Sequence, residues 1–519
     1  MNQAIVKRGP GKLSRRSLLG TGTRWSVALV GVGLLNAACS SAPAAPTAAP
    51  APTSPAAPTA APTAAPASAT SAPAATSAAA PAAPTSAAPT AAANAVPATS
   101  GLLPPAVKAK NPTNLTWWHW AGYHVQFQKQ LSDLYQKQYD SNVTLVPTAY
   151  SSYDQARAAI KAALASGSGP DIVCALPGSD LIGYVTNNQL VSFTDSFKKD
   201  PNWQNSFYPV SNQLSTVNGE VWAVTALNNA IGIWYNKTLL AKHNIAVPTS
   251  IDELKKAGDT LRAANVVPLT LAGGQDITRP AAPFYWLAAG LGYSNAMRQA
   301  DLGLASWTSK EMVQVMTAYQ DVVNAKVYPN GVLGLKEQDE ATLLVSGKSA
   351  MSLCGCWLRT TLKSALQPGT ELGFAMLPAV TTGGKQTALP SVGLTISTNR
   401  GSPNRDIVFE MAAFVTGTAG KALYAGGVGI PPSGPLPADT AKEVATKVND
   451  PVWGEVLDVQ GKATGLRHLL TAQVEQALGE ACQAMLSGKG TPESVLATVE
   501  AASKAAGARN FKSPDWTLT

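Results

Sequence analysis

Trp120, Tyr123, Tyr285, Trp286 and Trp357 supply flat apolar rings, and Asn228, Asn229 and Arg279 supply amide and guanidinium groups among them. Rings of this kind can cover the C–H faces of a polyhydroxylated molecule, while amides donate and accept hydrogen bonds around its rim. Asn228 and Asn229 follow the apolar Val224-Thr225-Ala226-Leu227 run, where two amides without partners would be costly to bury. Arg279 can fork onto the paired oxygens of an acidic substituent such as a phosphate; its competing role is a surface ion pair. Trp117, Trp118 and Trp222 read as packing residues, because Trp buries well on average.

This is chemistry for gripping a molecule, and the signatures for transforming one fail on residue identity. Gly347-Lys348-Ser349 ends like a phosphate-binding loop, but Thr342 stands where that loop needs its first glycine. The four histidines, His119, His124, His243 and His468, are scattered, with no His-Glu-x-x-His pair. There is no Gly-x-Ser-x-Gly nucleophile elbow. A glycosidase needs two carboxylates facing one bond; Asp276 and Glu337 are present, but nothing in their spacing joins them, so they are expected on the solvated surface. No catalytic residue, metal set or cofactor is expected. Cys174, Cys354, Cys356 and Cys482 allow three pairings, of which the one that bridges the single residue between Cys354 and Cys356 would be strained.

The elements that must position these groups alternate between two periods. Leu115 to Trp120 is a β-rich run; Phe127, Leu131, Leu134 and Tyr135 then recur at helical spacing from Val125 to Tyr139. An extended Val143 to Val146, a helix carrying Ile160 and Leu164, and an apolar Ile172 to Ala175 follow. Repeated β-α-β units predict a mostly parallel sheet covered by helices, with the binding groups beyond the carboxyl ends of its strands. Thr249 or Ser250 with Glu253, and Thr491 with Pro492, read as helix starts.

Composition divides the chain before any of this begins. Met1 to Ala38 holds six basic residues and no acid, and Ser40 to Val107 holds no charge at all. The formal +8 falls to about +2 without the leader, which leaves 33 Lys and Arg against 31 Asp and Glu and no basic stripe for nucleic acid. Residues 1–38 read as an export signal: a basic region, a short apolar run from Trp25 to Leu35, and small residues before Cys39. Ser14-Arg15-Arg16-Ser17-Leu18-Leu19 resembles the twin-arginine motif, and Leu35-Asn36-Ala37-Ala38-Cys39 resembles a lipobox, with Asn36 where Leu or Val is usual. Cys39 is then the lipid attachment site. The Ala, Pro, Thr and Ser of residues 39–107 read as a disordered tether.

Six segments after Asn111 resemble the extracellular solute-binding proteins that include maltose and other sugar receptors. They are Pro170-Asp171-Ile172-Val173, Gly219-Glu220-Val221-Trp222-Ala223-Val224, Ile233-Trp234-Tyr235-Asn236-Lys237, Val247 to Leu254, Gly347-Lys348-Ser349-Ala350-Met351 with Gly355-Cys356-Trp357, and Ser487 to Glu493. The resemblance implies a periplasmic-binding-protein-like α/β fold of two lobes with the ligand cleft between them. It implies lobe 1 at 108–225 plus about 391–430, lobe 2 at 226–390 plus about 431–519, and crossings near Thr225 to Ile233, Ser391 to Ile396 and Ile430 to Leu436. It also implies that Asn229 and Trp357 face the ligand, with Trp286 and Trp120 the next choices. It puts Cys174 in lobe 1 and Cys354 and Cys356 in lobe 2, where a covalent link would oppose closure, so most of the cysteines are expected to be buried thiols. The implied role is the monomeric, non-enzymatic substrate-binding component of an ABC importer. It would deliver a mono- or oligosaccharide to permease subunits served by a separate ATPase. Glycerol phosphate, a polyamine or another polar solute is the alternative ligand, and an exported carbohydrate-active enzyme the alternative class.

Overall fold

The computed structural model describes residues 107–507, apart from 121, 382, 466, 468 and 470. The expected leader, Cys39 and all but the last residue of the tether therefore lie outside the described residues.

β1 (Thr113–His119) turns Leu115, Trp117 and His119 inward at every second position, as a strand with one face on a core must. α1 (Val125–Gln138) buries Phe127, Leu131 and Tyr135 on one face. β2 (Val143–Ala149) leads to α2 (Tyr153–Ala165), whose start is capped by Ser152 Oγ accepting the Gln155 N–H at 3.2 Å. β3 (Ile172–Val173), α3 (Ser179–Thr186) and β4 (Leu190–Val191) follow. β5 (Thr216–Val217) and β6 (Glu220–Val221) form a hairpin whose turn, Asn218-Gly219, has φ of 54° and 80°. The remaining strands are β7 (Val224–Thr225), β8 (Asn228–Asn236), β9 (Val267–Thr270), β10 (Ser349–Gly355), β11 (Leu372–Ala375), β12 (Leu389–Val392) and β13 (Thr395–Asn399).

These strands make two main sheets. The first runs β2-β1-β3-β13-β4, with β7 also paired to β13; the second runs β11-β8-β10-β9, with β12 paired to β8. β1 is parallel to β2 and β3, as the β-α-β pattern predicts. Both sheets depart from a mostly parallel arrangement: β13 is antiparallel to β3, β4 and β7, and in the second sheet β8 is antiparallel to β10, β11 and β12, with only β9 and β10 parallel. The reason is connectivity: β8 carries the chain out of the first sheet, and β12, which carries it back, must run the opposite way.

The passages between sheets are short. The chain leaves β7 at Thr225 and opens β8 at Asn228; it leaves β12 at Val392 and opens β13 at Thr395. A third segment lies against them, with the Asn228 N–H donating to Pro431 O and the Ser433 N–H to Ala226 O, both at 2.8 Å. Asp171 ties the first sheet together. Its Oδ2 accepts from the Thr116 N–H and hydroxyl at 2.9 and 2.8 Å, and its Oδ1 from the Ser402 hydroxyl at 2.6 Å.

Helices cover both sheets. Ser250 Oγ caps the helix Ile251–Ala263, and Glu253 reaches back to the Thr249 N–H at 2.7 Å. Thr491 caps the helix Pro492–Ala506 in the same manner. Gly347, with φ of 70°, opens into strand β10, whereas a phosphate-binding loop opens into a helix. Among the described residues no helix is long and apolar enough to cross a membrane.

Candidate functional site

A cavity of about 190 Å³ lies where the two sheets approach. Trp120, just past the end of β1, and Tyr153, the first residue of α2, line it from the first sheet's side. Their rings meet edge to face, with centroids 5.0 Å apart. Asn229 on β8, Asp276, Arg279, Glu337, Trp357 and Arg467 line the other side, and Gly393 and Ile430 belong to the crossing segments. Strand ends and the loops after them thus carry the site, as expected of open α/β sheets.

Trp357 is held from several directions. It sits in the short turn Cys356–Leu358 after β10, and its indole N–H donates to Glu337 Oε1 at 2.8 Å. The Arg467 guanidinium lies 5.0 Å from its ring, and Arg467 Nη1 donates to Ser391 Oγ at 2.5 Å. A Cβ placed on Gly355 would fall 1.8 Å from the Trp357 ring, so only glycine leaves room for this conformation. Asn229 is buried, and its Oδ1 accepts from the Cys356 thiol at 3.5 Å.

Arg279 reaches the cavity edge, but as half of an ion pair. Its Nη2 lies 2.7 Å from Glu340 Oε2, and the two side chains are 3% and 0% exposed. The pair expected at the surface is instead buried. Ser352 Oγ also donates to Glu340, whose carboxyl burial pushes up to about 7 against the pull of Arg279. Nε and Nη1 of Arg279 have no hydrogen-bond partner. His124 lines the cavity in neutral form, since burial, with His119 beside it, lowers its pKa to about 3.

The structure brings Trp120, Asn229, Arg279 and Trp357 to one cavity and leaves three expected residues elsewhere. Tyr285 and Trp286 are core residues, 1% and 0% exposed, and the Trp286 N–H donates to Pro378 O at 2.8 Å. Both lie on the helix Thr278–Gly290, whose first two residues alone reach the cavity. At 1.5 Å per residue, Trp286 stands roughly 10 Å further along that axis than Arg279. Asn228 points away because adjacent strand residues face opposite sides. Its Oδ1 accepts from Ser211 Oγ at 3.0 Å, inside the packing between crossings. The side chain of Tyr123 lies outside the described residues.

Asp276 and Glu337, expected on the solvated surface, both line the cavity. Asp276 Oδ1 accepts the Thr278 N–H at 2.9 Å, at the start of the helix that presents Arg279. Tyr153 and Arg467 were also missed; Tyr153 had a legible signal, since it follows the carboxyl end of β2 and the capping Ser152. Trp117 is buried, and Trp118 and Trp222 pack against the apolar cluster around Val173, Leu181 and Ala223, so all three pack as expected. Cys174, Cys354, Cys356 and Cys482 are all buried free thiols. Among the described residues no group of three or more His, Cys, Asp or Glu is arranged to hold a metal ion. A larger open groove of about 700 Å³, lined by Val266, Pro268, Val323, Leu333 and their neighbours, gathers no comparable set of rings and amides.

Comparison with known proteins agrees with this architecture. A probable sugar-binding periplasmic protein of Mesorhizobium japonicum is 25% identical over 232 residues, 44% of this chain and 54% of that protein. The match thus spans about half of that relative's length. A chitin oligosaccharide binding protein of known structure has a TM-score of 0.65 at 20% identity, covering 76% of this chain and 99% of that one. Maltose-bound MalE3 of T. maritima has a TM-score of 0.63 at 18% identity, covering 76% and 99%. These two share the periplasmic-binding-protein-like fold of two sheet-containing domains. With residues 121–422 matching the family model described as bacterial extracellular solute-binding protein, the chain belongs to that family.

Proposed function

We propose that this chain is the substrate-binding component of an ABC importer and that its ligand is a mono- or oligosaccharide. The observation that carries this reading is the cavity wall itself. Trp357 and the Trp120–Tyr153 pair offer ring faces and edges, and Asn229, Asp276, Glu337 and Arg467 offer donors and acceptors between them. A neutral polyol needs both kinds of group, and the balance of two carboxylates with a guanidinium suits hydroxyls that donate and accept at once. The sugar-binding name of the Mesorhizobium relative and the sugar-binding titles of the two structures support the same reading.

Lobe 1 is 108–225 plus about 391–430 and lobe 2 is 226–390 plus about 431–519, and ligand binding shifts them toward a closed form that docks on the permease. The chain is exported, held to the membrane through Cys39, and spaced from it by residues 39–107. Calorimetric titration against a panel of mono- and oligosaccharides tests the proposal; saturable heat with at least one saccharide is expected, and none with any would remove the carbohydrate assignment.

A second reading draws on Asp276 and Glu337, which share the cavity as a hydrolase's two carboxylates would. Here Glu337 holds the Trp357 indole and Asp276 holds the Thr278 N–H, so each already has a structural task. Release of reducing ends from oligosaccharides by the purified protein would favour the enzyme.

A further inference from the structure

Outside the cavity, an ionic group joins elements of the two domains. Arg157 on α2 and Ser179 and Asp180 on α3 belong with the first sheet. Glu475 stands in the first turn of the helix Ala472–Leu486, which packs on the helices Thr278–Gly290 and Pro492–Ala506 of the second. Ser179 Oγ donates to Glu475 Oε2 at 2.8 Å, and Arg157 Nη2 donates to Ser179 Oγ at 2.7 Å while lying 3.6 Å from the same carboxylate oxygen. Arg157 Nε lies 2.5 Å from Asp180 Oδ1. The Asp180 and Glu475 side chains are 6% and 3% exposed, so water screens this group far less than a surface pair.

Two more contacts give the group its direction. Tyr153, which lines the cavity, donates its hydroxyl to Asp180 Oδ2 at 2.5 Å. Leu302, from the second domain, is buried in one cluster with Tyr184, Val217 and Ala223 of the first, so an apolar contact bridges the domains as well.

We infer that Arg157, Ser179, Asp180 and Glu475 form a latch that sets ligand affinity by holding the two domains together, and that Tyr153 couples this latch to the occupied cavity. The inference rests on domain closure as proposed above, but not on the ligand being a sugar. Apart, Arg157 keeps Asp180 of its own domain while Glu475 is solvated; together Arg157 and Glu475 lose water and share the Ser179 hydroxyl. None of the four latch residues lines the cavity. They are positioning residues that act on closure, and Tyr153, which lines the cavity, touches the latch through its hydroxyl on Asp180.

The test uses the full chain. Small-angle scattering and affinity are measured for the wild type, Glu475→Gln, Ser179→Ala, Tyr153→Phe, Arg157→Gln and the Arg157→Gln/Glu475→Gln double variant, with maltose, maltotriose, xylotriose and chitotriose as probes. A larger radius of gyration is expected in the ligand-free single variants than in the wild type. For any probe that binds, affinity should fall about tenfold, mostly through faster release, and the double variant should lose no more than the worse single one. Equal radii across all variants, or losses that add in the double variant, would overturn the latch. Ser179→Ala and Tyr153→Phe each remove one hydroxyl and keep the fold, so they decide the matter should the charge variants prove unstable. If no probe binds, these oligosaccharides are not the ligand, while the ligand-free radii still decide the latch.

Discussion

The Trp357 indole N–H donates to Glu337 Oε1 at 2.8 Å, so one of the two indole rings in the cavity is fixed by a carboxylate twenty residues earlier in the chain. This bond turns an aromatic side chain into a platform of defined orientation. A charge-assisted bond of this kind contributes roughly 1.5–3 kcal/mol.

Replacing Glu337 with Leu should therefore weaken saccharide binding by about tenfold or more, because the ring regains rotamer freedom that binding must then remove. Glu337→Gln keeps an acceptor and should stay within a few fold of the wild type. Calorimetric titration separates the two. Gly355→Ala should resemble Trp357→Ala in affinity, since its Cβ would take the space the ring occupies.

Trp286 and Trp357 should fail in different ways. Trp286 is fully buried among the apolar residues that cover the second sheet, so Trp286→Ala should cost about 3–5 kcal/mol of stability in denaturant unfolding. Variants that still fold should keep their affinity. Trp357→Ala should cost about 2 kcal/mol or more of binding with a much smaller change in stability.

Lys421 makes stability depend on pH. It is 2% exposed, donates to Ser206 O at 2.5 Å, and burial lowers its ammonium to about 7. The folded pKa lies below the unfolded one, so the cost of burying the charge is complete below pH 7. That cost is relieved as pH rises toward the ordinary Lys range. Lys421→Met should raise the melting temperature at pH 6 and change it little at pH 10, by scanning calorimetry at both.

Thiol titration of the unfolded protein should give the same count with and without reductant, because Cys174, Cys354, Cys356 and Cys482 are separate buried thiols. Two additional thiols after reduction would show a disulfide instead.

The first sheet was legible because its strands and helices are local: β1, α1, β2 and α2 follow the period of their own residues, and Ser152 and Ser250 cap where hydroxyls precede helical runs. Trp120 and Asn229 were legible as groups after apolar strands. Asn228, one residue away, was not, because strand alternation decides facing only once the register of β8 on β12 is set.

Local period and residue chemistry alone determined the alternating elements, the uncharged stretch before Lys108 and the lack of catalytic motifs. Tertiary structure decided which groups meet. Trp286 went to the core because its helix is buried beyond its first turn, and Arg279 went to Glu340 across 61 residues. Asp276 and Glu337 came to one cavity because the loop after β9 packs on the start of the helix Glu337–Val345, where the Glu337 N–H donates to Gln275 Oε1 at 3.2 Å. Contacts between segments that distant depend on how whole sheets and helices pack, and no local pattern encodes that.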